Sequence, residues 1–104
     1  MSKSSTITAD PLPNPHPGAI LALDFMEPMG LSQNALARAI HVPPRRINEI
    51  IHGQRAITAD TDLRLARYFG VSEGMFLALQ VEYDLLERKR QIGAILADIQ
   101  PHAA

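Results

Sequence analysis

Apolar residues recur every three or four positions along most of this chain, a spacing typical of helices that bury one face. The pattern predicts helices at about 18–27, 33–40, 44–52 and 59–69, and a longer one from about 73 onward. This last helix either runs on past Arg90 or kinks near Gly93. Strand-like alternation is absent from the sequence, so we predict an all-α fold: a five-helix domain with an extended C-terminal helix.

Residues that cap or break helices set the predicted limits. Ser32, Thr58 and Ser72 offer side-chain hydroxyls that can act as N-caps. Pro43 pushes the residue before it into an extended conformation, whereas Pro44, its φ already near the helical value, suits a first helical position. Gly53 stands where a left-handed residue commonly ends a helix. A tight turn therefore separates two short helices, 33–40 and 44–52.

The second helix of this pair has an apolar back and a polar, basic front. At 100° per residue, its three isoleucines, Ile47, Ile50 and Ile51, share one side. Arg45 and Glu49 point away from that side, and Arg46 and Asn48 flank them. A short polar helix braced by apolar residues across a preceding helix is the layout of a DNA recognition helix.

Some of the candidate residues would fix the protein on the DNA backbone without reading sequence. Ser32 and Gln33 stand at the N-terminus of the first helix of the pair, where backbone N–H groups can donate to a phosphate. Arg55, just beyond Gly53, is placed to reach another phosphate, and Arg46 at the edge of the recognition helix is a further candidate.

Other candidates would read bases in the major groove. Arg45 can donate two hydrogen bonds to guanine O6 and N7. Glu49, one turn later, either accepts from cytosine N4 or orients Arg45 as its i,i+4 partner. Asn48 can pair with adenine, and Pro44 can give an apolar contact to a thymine methyl.

The charge distribution agrees with a local DNA-binding surface. The net charge is −1, which excludes a globally basic nucleic-acid binder. Between residues 33 and 55, however, four arginines stand against one glutamate, whereas residues 73–99 carry five acidic and three basic side chains. A local basic surface is enough for a specific binder, and we expect modest non-specific affinity.

The chain divides into three parts. Residues 1–15 are polar and proline-rich, and we expect a flexible N-terminal tail. Residues 16–90 form the helix-turn-helix domain. Residues 91–104 form a C-terminal helical extension whose apolar positions either contact a two-fold dimer mate, which we favour, or fold back onto their own domain. These positions are Ile92, Ile95, Leu96 and Ile99.

Several other functional classes find no support in the sequence. Cysteine is absent, which excludes disulfides and fits a reducing, cytoplasmic location. No apolar run is long enough for a bilayer, and the four histidines lack metal-ligand spacing. His16, before a proline at a helix entrance, suits a capping role better than catalysis. We therefore expect no enzyme, cofactor, metal or membrane.

The same residues carry a family resemblance. The runs HPGAIL (16–21), FMEPMGLSQNALA (25–37), VPPRRINEIIHGQRAITADTDLRLARYFG (42–70) and LQVEYDL (79–85) resemble HigA-type antitoxins, within the phage-repressor-like, XRE-type helix-turn-helix family. The resemblance covers about residues 16–90. It implies a homodimer that binds double-stranded operator DNA, represses its own operon and neutralises a HigB-like ribonuclease toxin.

Other interpretations of the same pattern stay open. A stand-alone helix-turn-helix repressor would use the same DNA surface without a toxin partner. An interaction adaptor would have the fold but no DNA to read. In the simplest alternative, Arg45, Arg46 and Glu49 form only a solvated charged surface.

Overall fold

The computed structural model describes residues 12–103, and these residues form five helices and no strand. Helix α1 begins as an α-helix at Pro17–Ile20 and continues as a π-helix at Leu21–Met26. The remaining helices are α2 (Gln33–Ile40), α3 (Pro44–Ile51), α4 (Ala59–Phe69) and α5 (Met75–Asp98). The prediction of an all-α, five-helix fold with a long last helix is confirmed. The π-helical part of α1 was not predicted.

One core connects all five helices. Its fully buried members include Leu21 of α1, Leu36 of α2, Ile47 and Ile50 of α3, Leu65 of α4 and Phe76 of α5. The core is mainly aliphatic, as the composition indicates, but an aromatic contact lies within it. The ring of Phe25 lies 5.1 Å from that of Phe69 and 5.0 Å from that of Phe76. Helices α1, α4 and α5 thus meet through three aromatic rings.

The turn between α2 and α3 is made by His41 and the residues that follow it. His41 caps α2 in a left-handed conformation, φ 63° and ψ 48°, which only a few per cent of non-glycine residues adopt. Pro43 is then extended and Pro44 begins α3, as predicted. Gly53 also has the predicted positive φ, 72°, two residues beyond the end of α3. The left-handed histidine, in contrast, was not expected from sequence.

Helix α1 lies unusually close to the end of α3. A Cβ placed on Gly18 would lie 1.8 Å from the carbonyl oxygen of Ile50, so only glycine fits at this point. His16 caps α1, because its Nδ1 accepts a hydrogen bond of 2.9 Å from the Gly18 N–H. The ring of His16 also lies 4.9 Å from that of Tyr83 on α5. The capping role predicted for His16 is therefore confirmed.

Two of the predicted hydroxyl caps differ in the structure. Thr58 does occupy the N-cap position of α4, but its side chain makes no capping hydrogen bond. Ser72 does not cap α5, because the N-cap is Gly74, with φ 93°. The Asp62 carboxylate replaces the missing hydroxyl and accepts hydrogen bonds from the N–H groups of Gly74 (2.6 Å) and Leu77 (2.9 Å). A tertiary contact, which local sequence does not reveal, thus fixes the start of α5.

Helix α5 bends at a single residue near its C-terminal end. Ile92 has φ −115° and ψ 22°, outside the helical region, and the helix resumes after it to Asp98. Of the two predicted alternatives for the region near Gly93, the structure therefore has the kink. Of the helices in the described part of the chain, none has both the length and the apolar character of a membrane span.

The segment before α1 runs along α5. Asn14 donates from Nδ2 to the Tyr83 carbonyl oxygen and to Glu87 Oε2, each at 3.1 Å. Arg90 donates to the carbonyl oxygen of Leu12. Of the predicted flexible tail, 1–15, the first eleven residues lie outside the described range, and its last residues make these contacts.

Candidate nucleic-acid interface

Helix α3 is held with its polar side outward by the burial of its isoleucines. Ile47 and Ile50 are fully buried, and Ile51 is half-buried against the same core. Because these three residues occupy one side of a two-turn helix, the opposite side faces solvent. The predicted orientation of α3 is thus confirmed.

A single carboxylate on the outer side of α3 joins two arginines. Glu49 Oε2 accepts a hydrogen bond of 2.9 Å from Arg45 Nε, one turn earlier on the helix. Glu49 Oε1 accepts one of 2.8 Å from Arg55 Nε, in the loop that follows α3. The Arg45 side chain is 85% exposed and that of Glu49 only 20%. Of the two roles predicted for Glu49, this geometry is that of an orienting partner of Arg45.

The two arginines also set the ionisation of the carboxyl group between them. The hydrogen bond from Arg55, and next that from Arg45, hold the pKa of Glu49 below its ordinary value of 4.5. Glu49 is therefore charged at neutral pH. The three side chains together carry a net charge of about +1 on the outer surface of α3.

Arg46 takes part in a second ionic group that links three helices. Its Nη1 donates to Asp60 Oδ2 at 2.7 Å, and Arg64 Nε donates to the same oxygen at 2.9 Å. Hydrogen bonds from Arg64, then from Arg46, hold the pKa of Asp60 below its ordinary value of 3.8. Nη1 of Arg64 also donates to the carbonyl oxygens of Ile40 and His41, at the end of α2.

A side-chain contact joins the start of α2 to α3. Asn48 Nδ2 donates to Gln33 Oε1 at 3.1 Å, so these two predicted contact residues lie side by side. Ser32 is the N-cap of α2, its Oγ accepting a hydrogen bond of 3.1 Å from the Ala35 N–H. Pro44, the first residue of α3, is exposed.

The structure thus brings most of the candidate residues together around α3. Two hydrogen-bonded sets contain Gln33 with Asn48, and Arg45 with Glu49 and Arg55. Arg46 differs, because its guanidinium is directed toward α4. The roles assigned to these side chains on DNA stay predictions.

Sequence reasoning missed Asp60 and Arg64 as parts of this region. Their i,i+4 spacing on a predicted helix was a usable indication of an ion pair. The contact of Asp60 with Arg46, fourteen positions earlier, had no such indication in the sequence. Within residues 12–103, no three His, Asp or Glu side chains are grouped so that they could hold a metal ion.

Comparison with known proteins places this geometry in a family. The family described as "Helix-turn-helix" matches residues 24–76. The chain is 57% identical over 74 residues to Virulence-associated protein I of Dichelobacter nodosus, an alignment that covers 71% of this chain and 68% of that protein. It is 31% identical over 74 residues to antitoxin HigA-1 of Vibrio cholerae, covering 71% of this chain and 70% of that one.

A solved structure extends the similarity to almost the whole described fold. The Pseudomonas aeruginosa antitoxin HigA, in a structure with the higBA promoter, superposes with a TM-score of 0.83 at 37% identity. The superposition covers 88% of this chain and all of the other. Helix number, the turn between α2 and α3 and the outer surface of α3 define a helix-turn-helix protein. The chain belongs to the XRE-type helix-turn-helix family and, within that family, is of the HigA type.

Proposed function

We propose that this protein is a sequence-specific DNA-binding antitoxin that represses its own operon and neutralises a HigB-like, mRNA-cleaving toxin. The observation that carries the DNA half is the outer surface of α3, where Glu49 holds Arg45 and Arg55 beside each other at 2.9 and 2.8 Å. Further support is the similarity to a HigA structure that contains promoter DNA. Operator DNA and an mRNA-cleaving toxin, the two proposed partners, would place its action in the cytoplasm.

On DNA, α3 lies in the major groove and its neighbours contact the backbone. Arg45, which is largely exposed, reads a guanine, and Asn48 and Pro44 contact bases beside it. The α2 N-terminus, at Ser32 and Gln33, binds a phosphate. Arg55 contacts a second phosphate from the loop after α3, and Arg46 braces α3 against α4 through Asp60.

Reading an operator with two half-sites requires two copies of α3. The end of α5 offers a surface for the second copy, because Ile95, Leu96 and Ile99 are 60%, 42% and 62% exposed in the single chain. Ile92, at the kink, extends this surface toward the domain. The proposed assembly is a homodimer that pairs these residues across a two-fold axis and removes their apolar area from water.

The toxin half of the proposal rests on similarity to HigA proteins alone. Its test is co-purification of the protein with the product of a small reading frame beside its gene, followed by an assay of RNA cleavage. Formation of a complex with loss of cleavage is the expected result. A protein that binds its operator but no neighbouring product would instead be a stand-alone repressor.

The DNA half is tested by a salt titration of binding. The purified protein is titrated with the DNA upstream of its gene and with a scrambled duplex of the same length and composition. We expect preferential binding of the upstream DNA and an affinity that falls steeply with salt. Equal, weak binding of both duplexes would contradict the proposal and would favour an adaptor that uses the fold for protein contacts.

A further inference from the structure

Glu49 occupies an unexpected place for an acidic residue. It lies near the middle of the outer surface of α3, between two arginines that the proposed function assigns to DNA. A carboxylate at this point repels the phosphates that the arginines attract, so it weakens non-specific binding. Its side chain is only 20% exposed, and both of its oxygens accept from an arginine.

The atoms used in these contacts leave the arginines able to bind DNA. Both arginines donate to Glu49 through Nε. Within residues 12–103, the two Nη atoms of each guanidinium make no protein hydrogen bond. The edge that these two atoms form is one of the two that can contact guanine O6 and N7 bidentately. Each guanidinium is therefore oriented through its Nε, while its two Nη atoms stay available for DNA.

We propose that Glu49 is a positioning residue that sets the sequence discrimination of the protein by holding Arg45 and Arg55 away from alternative phosphate contacts. The inference rests on the proposed function, since it concerns how the same surface distinguishes its operator from other DNA. Arg45 keeps only the orientation that suits a base, and Arg55 keeps only one phosphate position. The carboxylate reads no base itself.

Releasing the two arginines has a defined electrostatic consequence. An exposed arginine without a partner reaches a phosphate on any sequence, and each additional phosphate contact steepens the slope of log K against log[salt] by about 0.9. At about 0.1 M salt, one such contact corresponds to roughly eightfold tighter binding of any duplex. Loss of Glu49 should therefore strengthen binding to the wrong DNA.

Three variants separate this role from simpler ones. Glu49→Gln removes the charge but keeps the size of the side chain. Glu49→Asp keeps the charge, but it is one methylene shorter and holds at most one of the arginines. Glu73→Gln removes a charge from an exposed residue in the segment between α4 and α5, and so is matched for the change in net charge.

Each variant is titrated against upstream and scrambled DNA at several salt concentrations. Glu49→Gln should bind scrambled DNA about eightfold more tightly at about 0.1 M salt, with a slope steeper by about 0.9, and its ratio of upstream to scrambled affinity should fall. Glu49→Asp should lose discrimination as well, because the arginines are no longer held together. Glu73→Gln should match the unaltered protein in both affinities.

The orientation is also measurable without DNA. The Nε–H signals of Arg45 and Arg55 in an NMR spectrum should exchange slowly with water in the unaltered protein and rapidly in Glu49→Gln. Unchanged exchange in that variant would overturn the inference, because the arginines would then be held by something else.

Three outcomes on DNA would count against Glu49 as a positioning residue. If the unaltered protein prefers upstream DNA and Glu49→Gln keeps the full preference, the inference about Glu49 is overturned but the proposed function is not. A loss of upstream affinity with unchanged scrambled affinity would mean that Glu49 reads a base. Equal affinity of the unaltered protein for both duplexes would overturn the proposed function, and with it any role of Glu49 in discrimination.

Discussion

The carboxylate of Asp62, on α4, lies 2.6 Å from the backbone nitrogen of Gly74 and so begins α5 from another helix. The side chain is buried, and its second oxygen accepts from the Leu77 N–H. The first N–H groups of a helix have no partner within the helix, and the Asp62 carboxylate accepts from two of them here. The side chain of Asp62 therefore ties the start of α5 to α4 across the loop between these two helices.

Replacing Asp62 should cost much of the stability of the domain. Asp62→Ala removes a charged acceptor from two part-buried N–H groups, which we expect to lower the free energy of unfolding by about 2–4 kcal/mol. Urea denaturation followed by circular dichroism measures this loss. Asp24→Ala, at an exposed residue of α1, removes the same charge and should change stability by less than about 0.5 kcal/mol. Equal effects of the two substitutions would show that the cap is unimportant.

Two glycine substitutions should have opposite effects. Gly18→Ala places a methyl group against the Ile50 carbonyl oxygen and should destabilise the fold by about 3 kcal/mol or more. Gly93→Ala meets no atom within 4 Å and should stabilise the end of α5 by about 0.5–1 kcal/mol. Denaturant titrations of both variants test the close approach of α1 to α3. A mild effect of Gly18→Ala would mean that the two helices separate easily.

The stability should depend on pH through His16. Burial lowers the pKa of His16 from its ordinary value of 6.5, with the charge of Asp84 partly opposing this shift. Below pH 6.5 the unfolded chain therefore takes up the proton more readily than the folded one, and stability falls as pH drops through the lowered pKa. Protonation also removes the Nδ1 acceptor that caps α1.

His16→Asn provides the matched control for this dependence, because asparagine caps helices but does not titrate. The free energy of unfolding is measured for both proteins above and below pH 6.5. The unaltered protein should lose more stability on acidification than His16→Asn. An identical loss in both would assign the pH dependence to other groups.

Replacing Arg45 and replacing Arg55 should change DNA binding in different ways. Arg45→Ala should cost about 1–3 kcal/mol of DNA binding at one base position and leave other positions unaffected. Arg55→Ala should weaken binding to all sequences alike and reduce the salt slope by about 0.9. Binding to a panel of duplexes with single base changes distinguishes the two. Identical behaviour of the variants would mean that our division between base and phosphate contacts is wrong.

The parts of the fold that sequence predicted are those fixed by local patterns. The spacing of Ile47, Ile50 and Ile51 gave the orientation of α3, and Pro44 and Gly53 gave its limits. In each case, the determining residues lie within a turn or two of the structure that they determine. The N-cap of α2 was predictable for the same reason, because Ser32 accepts from an N–H group only three residues later.

The parts that sequence did not predict depend on contacts between distant residues. Ser72 has the chemistry of a cap, but Asp62, ten positions earlier, occupies the site because α4 packs beside the start of α5. Likewise Arg46 looks free on a helical wheel, yet the packing of α4 brings Asp60 to it. Single-helix reasoning places a side chain on a surface, but it does not reveal which neighbour that surface meets.

In the proposed dimer, the kink at Ile92 would give the two parts of α5 different roles. The part before it packs on the domain through Phe76 and Gln80, whereas the part after it carries the apolar residues proposed to meet a second copy. The angle of the kink in α5 would then set the distance between the two recognition helices of a dimer. Substitutions near Ile92 would change the spacing of half-sites that the dimer tolerates, while those on α3 would change the bases it reads. Operator length and operator sequence would thus be encoded in different helices and could evolve independently.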